Sequence, residues 1–175
     1  MRWMVEAGTD HVDGIVAQWR RERPELDVAA LALFGRLIRA AHLADAALSP
    51  KLRAYGLQPG WFDILAALRR AGSPYELNPT QLTQATMLSS GGTTKRLDRL
   101  AEAGFVARRP DPRDRRGTLV RLTRRGSAAI DRAISSHVAA EEDLLRPLSI
   151  ADRRALDALL RKLLGGLDGS EDHRR

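Results

Sequence analysis

The spacing of apolar and polar residues along the chain predicts a mostly helical protein with one small β-hairpin. In most segments the apolar residues recur every three or four positions, which is the spacing of one helix face. The predicted helices cover residues 12–21, 26–55 with Pro50 as a point of interruption, 61–71, 80–86, 89–103, 123–145, and a last helix that starts at Ser149. Two glycines begin a stretch, residues 165–175, that we expect to be a frayed tail.

Capping and turn residues set the boundaries of these elements. Asn78 followed by Pro79 is a typical helix start, and Gly104 is a typical C-cap. Strand patterns cover residues 75–77, 105–109 and 118–122, and the last two form a hairpin around a charged loop at 110–117. The resulting order of helix, short strand, helix, helix and hairpin is that of a winged helix-turn-helix.

Charge is distributed unevenly along the 175 residues. The segment 95–125 holds eleven basic and four acidic residues, so it carries the whole net charge of +7. Such a surplus attracts polyanions, because every neutralised phosphate releases condensed counterions. A solvated basic face without a partner is the alternative on charge alone.

Several classes of function are disfavoured by the composition. The chain has no cysteine, its four histidines are scattered, and no phosphate-binding loop or nucleophile–base pair is apparent. We therefore expect no enzyme activity, no metal and no cofactor. No run reaches the roughly 18 apolar residues of a membrane span, and the first residues lack a signal-peptide core, so we expect a cytoplasmic protein that does not contact the membrane.

The second helix of the pair and the hairpin tip carry the candidate contacts to double-stranded DNA. Short polar and basic side chains in the first turns of a helix can reach base edges in the major groove, and arginines on a β-loop can enter the minor groove. The candidates are Ser89, Ser90, Thr93, Thr94, Lys95, Arg96, Arg99, Arg113, Arg115 and Arg116. Asp111 and Asp114 are expected to hold the tip arginines in place.

The stretch LSSGGTTKRLDRLAEAGFVARRPDPRDRRGTLVRLT resembles the recognition helix and wing of the MarR family of transcriptional regulators. The resemblance extends over about residues 26–164. It implies a triangular homodimer whose two winged helix-turn-helix lobes bind a pseudo-palindromic operator, most simply as a repressor. The implied parts are an N-terminal extension at 1–25, a dimerisation helix at 26–56, the DNA-binding lobe at 57–122, dimerisation helices at 123–168 and a flexible tail at 169–175.

The apolar residues of the terminal helices are then dimer or inter-helix core, although periodicity alone also allows a core within one monomer. They are Leu31, Phe34, Leu37, Leu144, Leu148, Leu156, Leu160 and Leu163.

A narrower similarity concerns a urate-responsive subgroup that has an extra N-terminal helix with a tryptophan. The segments DGIVAQWRRERPELD, WFDILAALRR and PYELNPTQL carry it. By this resemblance Trp19, Asp63, Arg96 and Arg108 bind a small anionic aromatic effector, such as urate or another purine. An unrelated aromatic or phenolic anion is the alternative effector.

The residues alone also allow structural roles for these positions. Trp19 could be a core residue, Asp63 an exposed or helix-paired acid, and Arg96 a phosphate contact only. The alternative function is a winged-helix regulator without an effector that acts through protein or RNA partners.

Overall fold

The computed structural model describes residues 9–58, 60–86 and 93–172, and it confirms a mainly helical fold with a small sheet. The elements are α1 (His11–Glu22), α2 (Ala29–Arg53), α3 (Trp61–Arg70), β1 (Glu76–Leu77), α4 (Pro79–Ala85), α5 (Thr93–Glu102), β2 (Val106–Asp111), β3 (Asp114–Leu122), α6 (Arg124–Leu144) and α7 (Ile150–Asp172). The chain divides into two compact units, one within Met1–Pro50 and one within Lys51–Arg175.

The first unit is built on a capped helix, α1, and most of α2. The Asp10 carboxylate accepts hydrogen bonds from the backbone N–H groups of Val12 and Asp13, and the Asp13 carboxylate accepts one from Asp10 in return. Arg36 of α2 donates to both carboxylates. Val12 and Val16 of α1 form a small buried apolar cluster with Val28, which directly precedes α2, and Ala32 of α2 packs against this cluster.

Helix α2 differs from its predicted bounds of 26–55 at both ends. The Asp27 carboxylate accepts a hydrogen bond from the N–H of Ala29, at 3.0 Å, and the helix begins there. At the other end the helix continues through Pro50, so the predicted interruption is wrong. Proline removes one intrahelical hydrogen bond, which here does not end a helix of 25 residues.

The second unit is organised around α3, whose residues from Trp61 to Leu68 are buried except Asp63. Side chains from α4, α5, the sheet and α6 complete this core. They include the fully buried Leu82, Leu97, Leu100, Val120 and Ile130. The rings of Trp61 and Phe105 meet edge to face, 5.8 Å apart. This core holds α4 and α5 beside the sheet, as the winged helix-turn-helix requires.

The sheet has the antiparallel order β1-β3-β2. Its hairpin is longer than predicted, because β2 extends to Asp111 and β3 starts at Asp114, within the predicted loop 110–117. The pairing shifts in register between Pro110 and Asp111. Such an irregularity accommodates a proline, which lacks the N–H needed for a regular ladder.

The cap prediction for α7 is confirmed, whereas the predicted tail is helical over residues 165–172. Ser149 and Asp152 exchange hydrogen bonds at the start of the helix. The helix then continues past Gly165 and Gly166 to Asp172. Glycine lowers helix propensity by about 1 kcal/mol but keeps its N–H, so unlike proline it does not interrupt the hydrogen-bond ladder. Residues 173–175 lie outside the described part of the chain.

Candidate nucleic-acid interface

One face of α5 is exposed, and we call it the outer face of α5: Thr94, Lys95, Asp98 and Arg99. The opposite face is anchored by Leu97 and Leu100, which are buried in the core. Three predicted DNA contacts, Thr94, Lys95 and Arg99, therefore share one surface. Ser89 and Ser90 lie outside the described residues, as does the side chain of Thr93.

Arg96 does not share that surface. It is half-buried on the inner side of α5, and its side chain lies against Gly60 at the start of α3. A Cβ atom on Gly60 would stand 2.7 Å from Nε of Arg96, and Gly60 also has a φ of 77°. The positive φ favours glycine at this position, whereas the contact shows how closely the flexible Arg96 side chain approaches the α3 backbone. The structure thus brings Arg96 to the first turn of α3, the turn that carries the half-buried Asp63.

Arg108 on β2 contacts the recognition helix. Its guanidinium Nη2 lies 2.7 Å from Oδ1 of Asp98 on the outer face of α5. Arg108 stands two residues after the buried Val106, and alternation along a strand places both on one face of the sheet. Arg108 therefore extends from the wing towards α5.

Trp19 belongs to α1, in the first unit. Its side chain is 42% exposed, so the structural alternative of a core tryptophan is wrong. Its assignment to a ligand site stays a prediction.

The tip of the hairpin is shaped by its two aspartates. The backbone N–H of Arg113 donates to Oδ1 of Asp111, at 2.9 Å. A Cβ atom on Gly117 would lie 3.0 Å from Oδ2 of Asp114 and 3.1 Å from Cβ of Asp111, so both acids crowd this glycine. Arg113 is exposed at the tip. The side chains of Arg115 and Arg116 lie outside the described part of the structure.

The base of the wing is braced by an ion pair between its two outer strands. Arg109 of β2 donates from Nε and Nη2 to the two carboxylate oxygens of Glu76 on β1, with Nε at 2.9 Å. These hydrogen bonds hold the pKa of the Glu76 carboxyl below its ordinary value and raise the pKa of Arg109. Because β3 lies between β1 and β2, this pair links the two outer strands across the middle one.

Sequence reasoning missed Asp98 and the pair of Glu76 with Arg109. Asp98 is an acid within a strongly basic run, and its helical spacing from Lys95 placed it on the same face. That combination was a usable signal. No comparable signal existed for Glu76 and Arg109, which are 33 residues apart and meet only through the sheet.

Two further features of the described ranges concern clusters of metal-binding side chains and membrane-spanning helices. Within residues 9–58, 60–86 and 93–172 there is no group of three or more His, Cys, Asp or Glu side chains able to hold a metal ion. None of the helices described in these ranges combines the length and apolarity of a bilayer span.

A helix pair packed on a three-stranded wing, with cationic side chains on the exposed helix face, defines a winged helix-turn-helix DNA-binding protein. The model of the MarR family matches residues 55–117. The chain is 44% identical over 149 residues to the transcriptional regulator PecS of Dickeya dadantii, which covers 85% of this chain and 90% of PecS. The chain belongs to the MarR family, and it is a DNA-binding transcriptional regulator rather than an enzyme.

Two solved structures support the same assignment. A mutant MarR of E. coli complexed with operator DNA superposes with a TM-score of 0.68 at 28% identity, over 83% of this chain and 97% of that one. BpsR of Bordetella bronchiseptica, whose DNA binding is regulated by 6-hydroxynicotinic acid, superposes with a TM-score of 0.67 at 27% identity. That match covers 75% of this chain and 97% of BpsR.

Proposed function

We propose that this regulator binds a pseudo-palindromic operator as a homodimer, represses transcription there, and is released by a small anionic aromatic ligand. The observation that carries the proposal is the outer face of α5, where Thr94, Lys95 and Arg99 are exposed together. Helices of this kind read the major groove, and a dimer presents two of them about 34 Å apart. The exposed Arg113 at the wing tip is suited to the flanking minor groove. Such a protein acts at the chromosome, hence in the cytoplasm.

The dimer is supported by α7, a helix whose apolar side chains are largely exposed in the described part of the structure. No residue of α7 from 150 to 168 is buried. Its exposed apolar side chains are Ile150, Leu156, Leu159, Leu164 and Leu167. An exposed apolar patch of this size marks a protein interface, and a symmetric homodimer is the commonest way to bury one. Leu31, Phe34, Leu144 and Leu156 are all exposed, which supports the dimer over a core within one monomer.

The effector proposal is supported by the position of two arginines. Arg96 lies at the turn that carries Asp63, and Arg108 lies on the wing strand beside α5, so an anion bound by either one would act on the recognition helix. Guanidinium groups bind planar anions through paired hydrogen bonds. Regulation of BpsR by 6-hydroxynicotinic acid is consistent with this class of ligand. Urate or another purine is the specific candidate.

The test starts from a duplex that the wild-type protein selects from a randomised library. We expect tight, salt-sensitive binding to a palindrome. Lys95→Ala and Arg99→Ala should each weaken binding and lower the salt slope by about 1. Arg154→Ala, on the side of α7 away from its leucines, is the matched control and should leave both unchanged.

The effector is tested on the same complex by adding urate, xanthine or salicylate. Release of the duplex by one of these anions is the expected result. Failure of the protein to select any duplex would exclude operator binding and leave RNA or protein partners. Selection of a duplex that none of the anions releases would restrict the proposal to a regulator that does not respond to these compounds.

A further inference from the structure

The outer face of α5 contains an acid where a DNA-binding surface should avoid one. Asp98 lies between Lys95 and Arg99 on this face, and its side chain is 48% exposed. A carboxylate that approaches the phosphates of a duplex is repelled, and the low dielectric of a closed interface strengthens that repulsion. An uncompensated Asp98 would therefore oppose the function of its neighbours.

The structure supplies the compensating charge from the wing. Arg108 reaches Asp98 at 2.7 Å. The next residue, Arg109, points to the opposite face of the sheet and donates hydrogen bonds to Glu76 of β1. Alternation along β2 thus sends one arginine to the recognition helix and the other to β1. The side chain of Arg108 remains 40% exposed, so the pair with Asp98 is a surface ion pair and not a buried one.

We propose that Arg108 is a positioning residue for DNA binding that acts through Asp98: it neutralises this carboxylate and holds it in place on the face of α5 that meets the duplex. The inference rests on the proposed DNA interface. It differs from the ligand role that the family resemblance implies for Arg108, because it assigns the arginine a function in the absence of any effector.

The exposure of the pair determines how this role can be recognised. A half-exposed ion pair in water contributes little to folding, because solvent screens it. A phosphate backbone placed against the same pair makes the loss of the arginine costly, since the remaining carboxylate then faces a polyanion. Removal of Arg108 should therefore reduce DNA affinity while leaving the stability of the free protein nearly unchanged.

The experiment is a double-mutant cycle with Arg108→Gln, Asp98→Asn and the double variant. It measures the affinity of the full-length protein for the duplex selected by the wild type. Arg108→Gln should weaken binding by about three- to tenfold, whereas in the Asp98→Asn background the same change should cost less than about twofold. Arg108→Lys should recover most of the affinity, because it restores the positive charge. Denaturant midpoints should agree among all variants.

The competing roles give different patterns in this cycle. An equal loss of affinity in both backgrounds would mean that Arg108 contacts the duplex directly, and it would overturn the proposal. So would an Arg108→Gln variant that binds as tightly as the wild type, or one that loses affinity only because it is partly unfolded. A wild-type protein that selects no duplex would refute the interface itself, whereas an additive cycle on a selected duplex refutes only the coupling.

Discussion

At the scale of single residues, one glycine decides how α6 joins the wing. The hydroxyl of Thr123 donates to the backbone carbonyl of Gly104, at 2.8 Å, and accepts from the N–H of Gly126, at 3.0 Å. This caps α6 directly at the end of β3 and draws its first turn onto Phe105. A Cβ atom on Gly126 would stand 2.0 Å from the backbone oxygen of Phe105. The contact is with backbone, so no side-chain movement can relieve it.

Gly126→Ala should therefore lower the free energy of unfolding by about 2–3 kcal/mol, as overpacking does in a rigid core. Urea denaturation followed by circular dichroism measures the change. Gly14→Ala is the matched control, because Gly14 lies in α1 and nothing stands within 4 Å of its added Cβ. That substitution should raise stability by about 0.5–1 kcal/mol through helix propensity. Similar behaviour of the two variants would contradict the close approach.

At the scale of elements, the wing depends on a pair that joins its outer strands. β1 has only two residues, and a strand of that length contributes few ladder hydrogen bonds. Arg109 of β2 reaches across β3 and makes a bidentate contact with Glu76, which supplements the ladder hydrogen bonds of β1. The wing is therefore stabilised in part by an ion pair between β1 and β2, and the stability of the wing should depend on pH.

The sign of that dependence follows from the lowered pKa of Glu76, which is caused first by the hydrogen bonds from Arg109. The stabilisation is fully present above the pKa of an unfolded glutamate, about 4.3. It is lost as the pH falls through the lower pKa of the folded state. The stability difference between wild type and Glu76→Gln should be constant near neutrality and should shrink below about pH 4.3.

Urea titrations between pH 3 and pH 7 measure this difference. Glu102→Gln, a change at an exposed glutamate of α5, is the control and should show no such convergence with the wild type. A stability gap for Glu76→Gln that stays constant down to pH 3 would show that the ion pair does not stabilise the wing.

At the scale of the whole molecule, α7 is exposed along most of its length. A helix of 23 residues with no burial over 150–168 gains little from tertiary packing, although packing supplies most helix stability in proteins. Each leucine that becomes fully buried on association contributes about 1.5–3 kcal/mol. A second copy of the chain is the partner we propose.

Leu159→Glu tests this arrangement, because Leu159 is 65% exposed in the single chain and cannot be a folding-core residue. Burial of a carboxylate in a dimer interface should weaken the dimer by about a hundredfold or more. Analytical ultracentrifugation should show monomers that remain helical. Arg154→Glu, on the opposite side of α7, should stay dimeric. A dimeric Leu159→Glu protein would place the interface elsewhere.

Most of the elements and the class of fold follow from local patterns in the amino-acid sequence. Helix caps at Asn78, Thr123 and Ser149, helical periodicity, and the spacing of the hairpin are local properties, and local hydrogen bonding decides them. The basic run at 95–125 likewise led to the prediction that DNA contacts lie in this part of the chain.

Which of those basic residues remain exposed for DNA depends instead on contacts between different elements of the fold. Arg96 turns inward to Gly60, Arg108 pairs with Asp98, and Arg109 pairs with Glu76. Each outcome depends on residues from different elements, and periodicity within one element carries no information about such contacts. The exposure of residues 150–168 in α7 was likewise not predictable from periodicity, because burial depends on contacts between elements that are distant in the sequence.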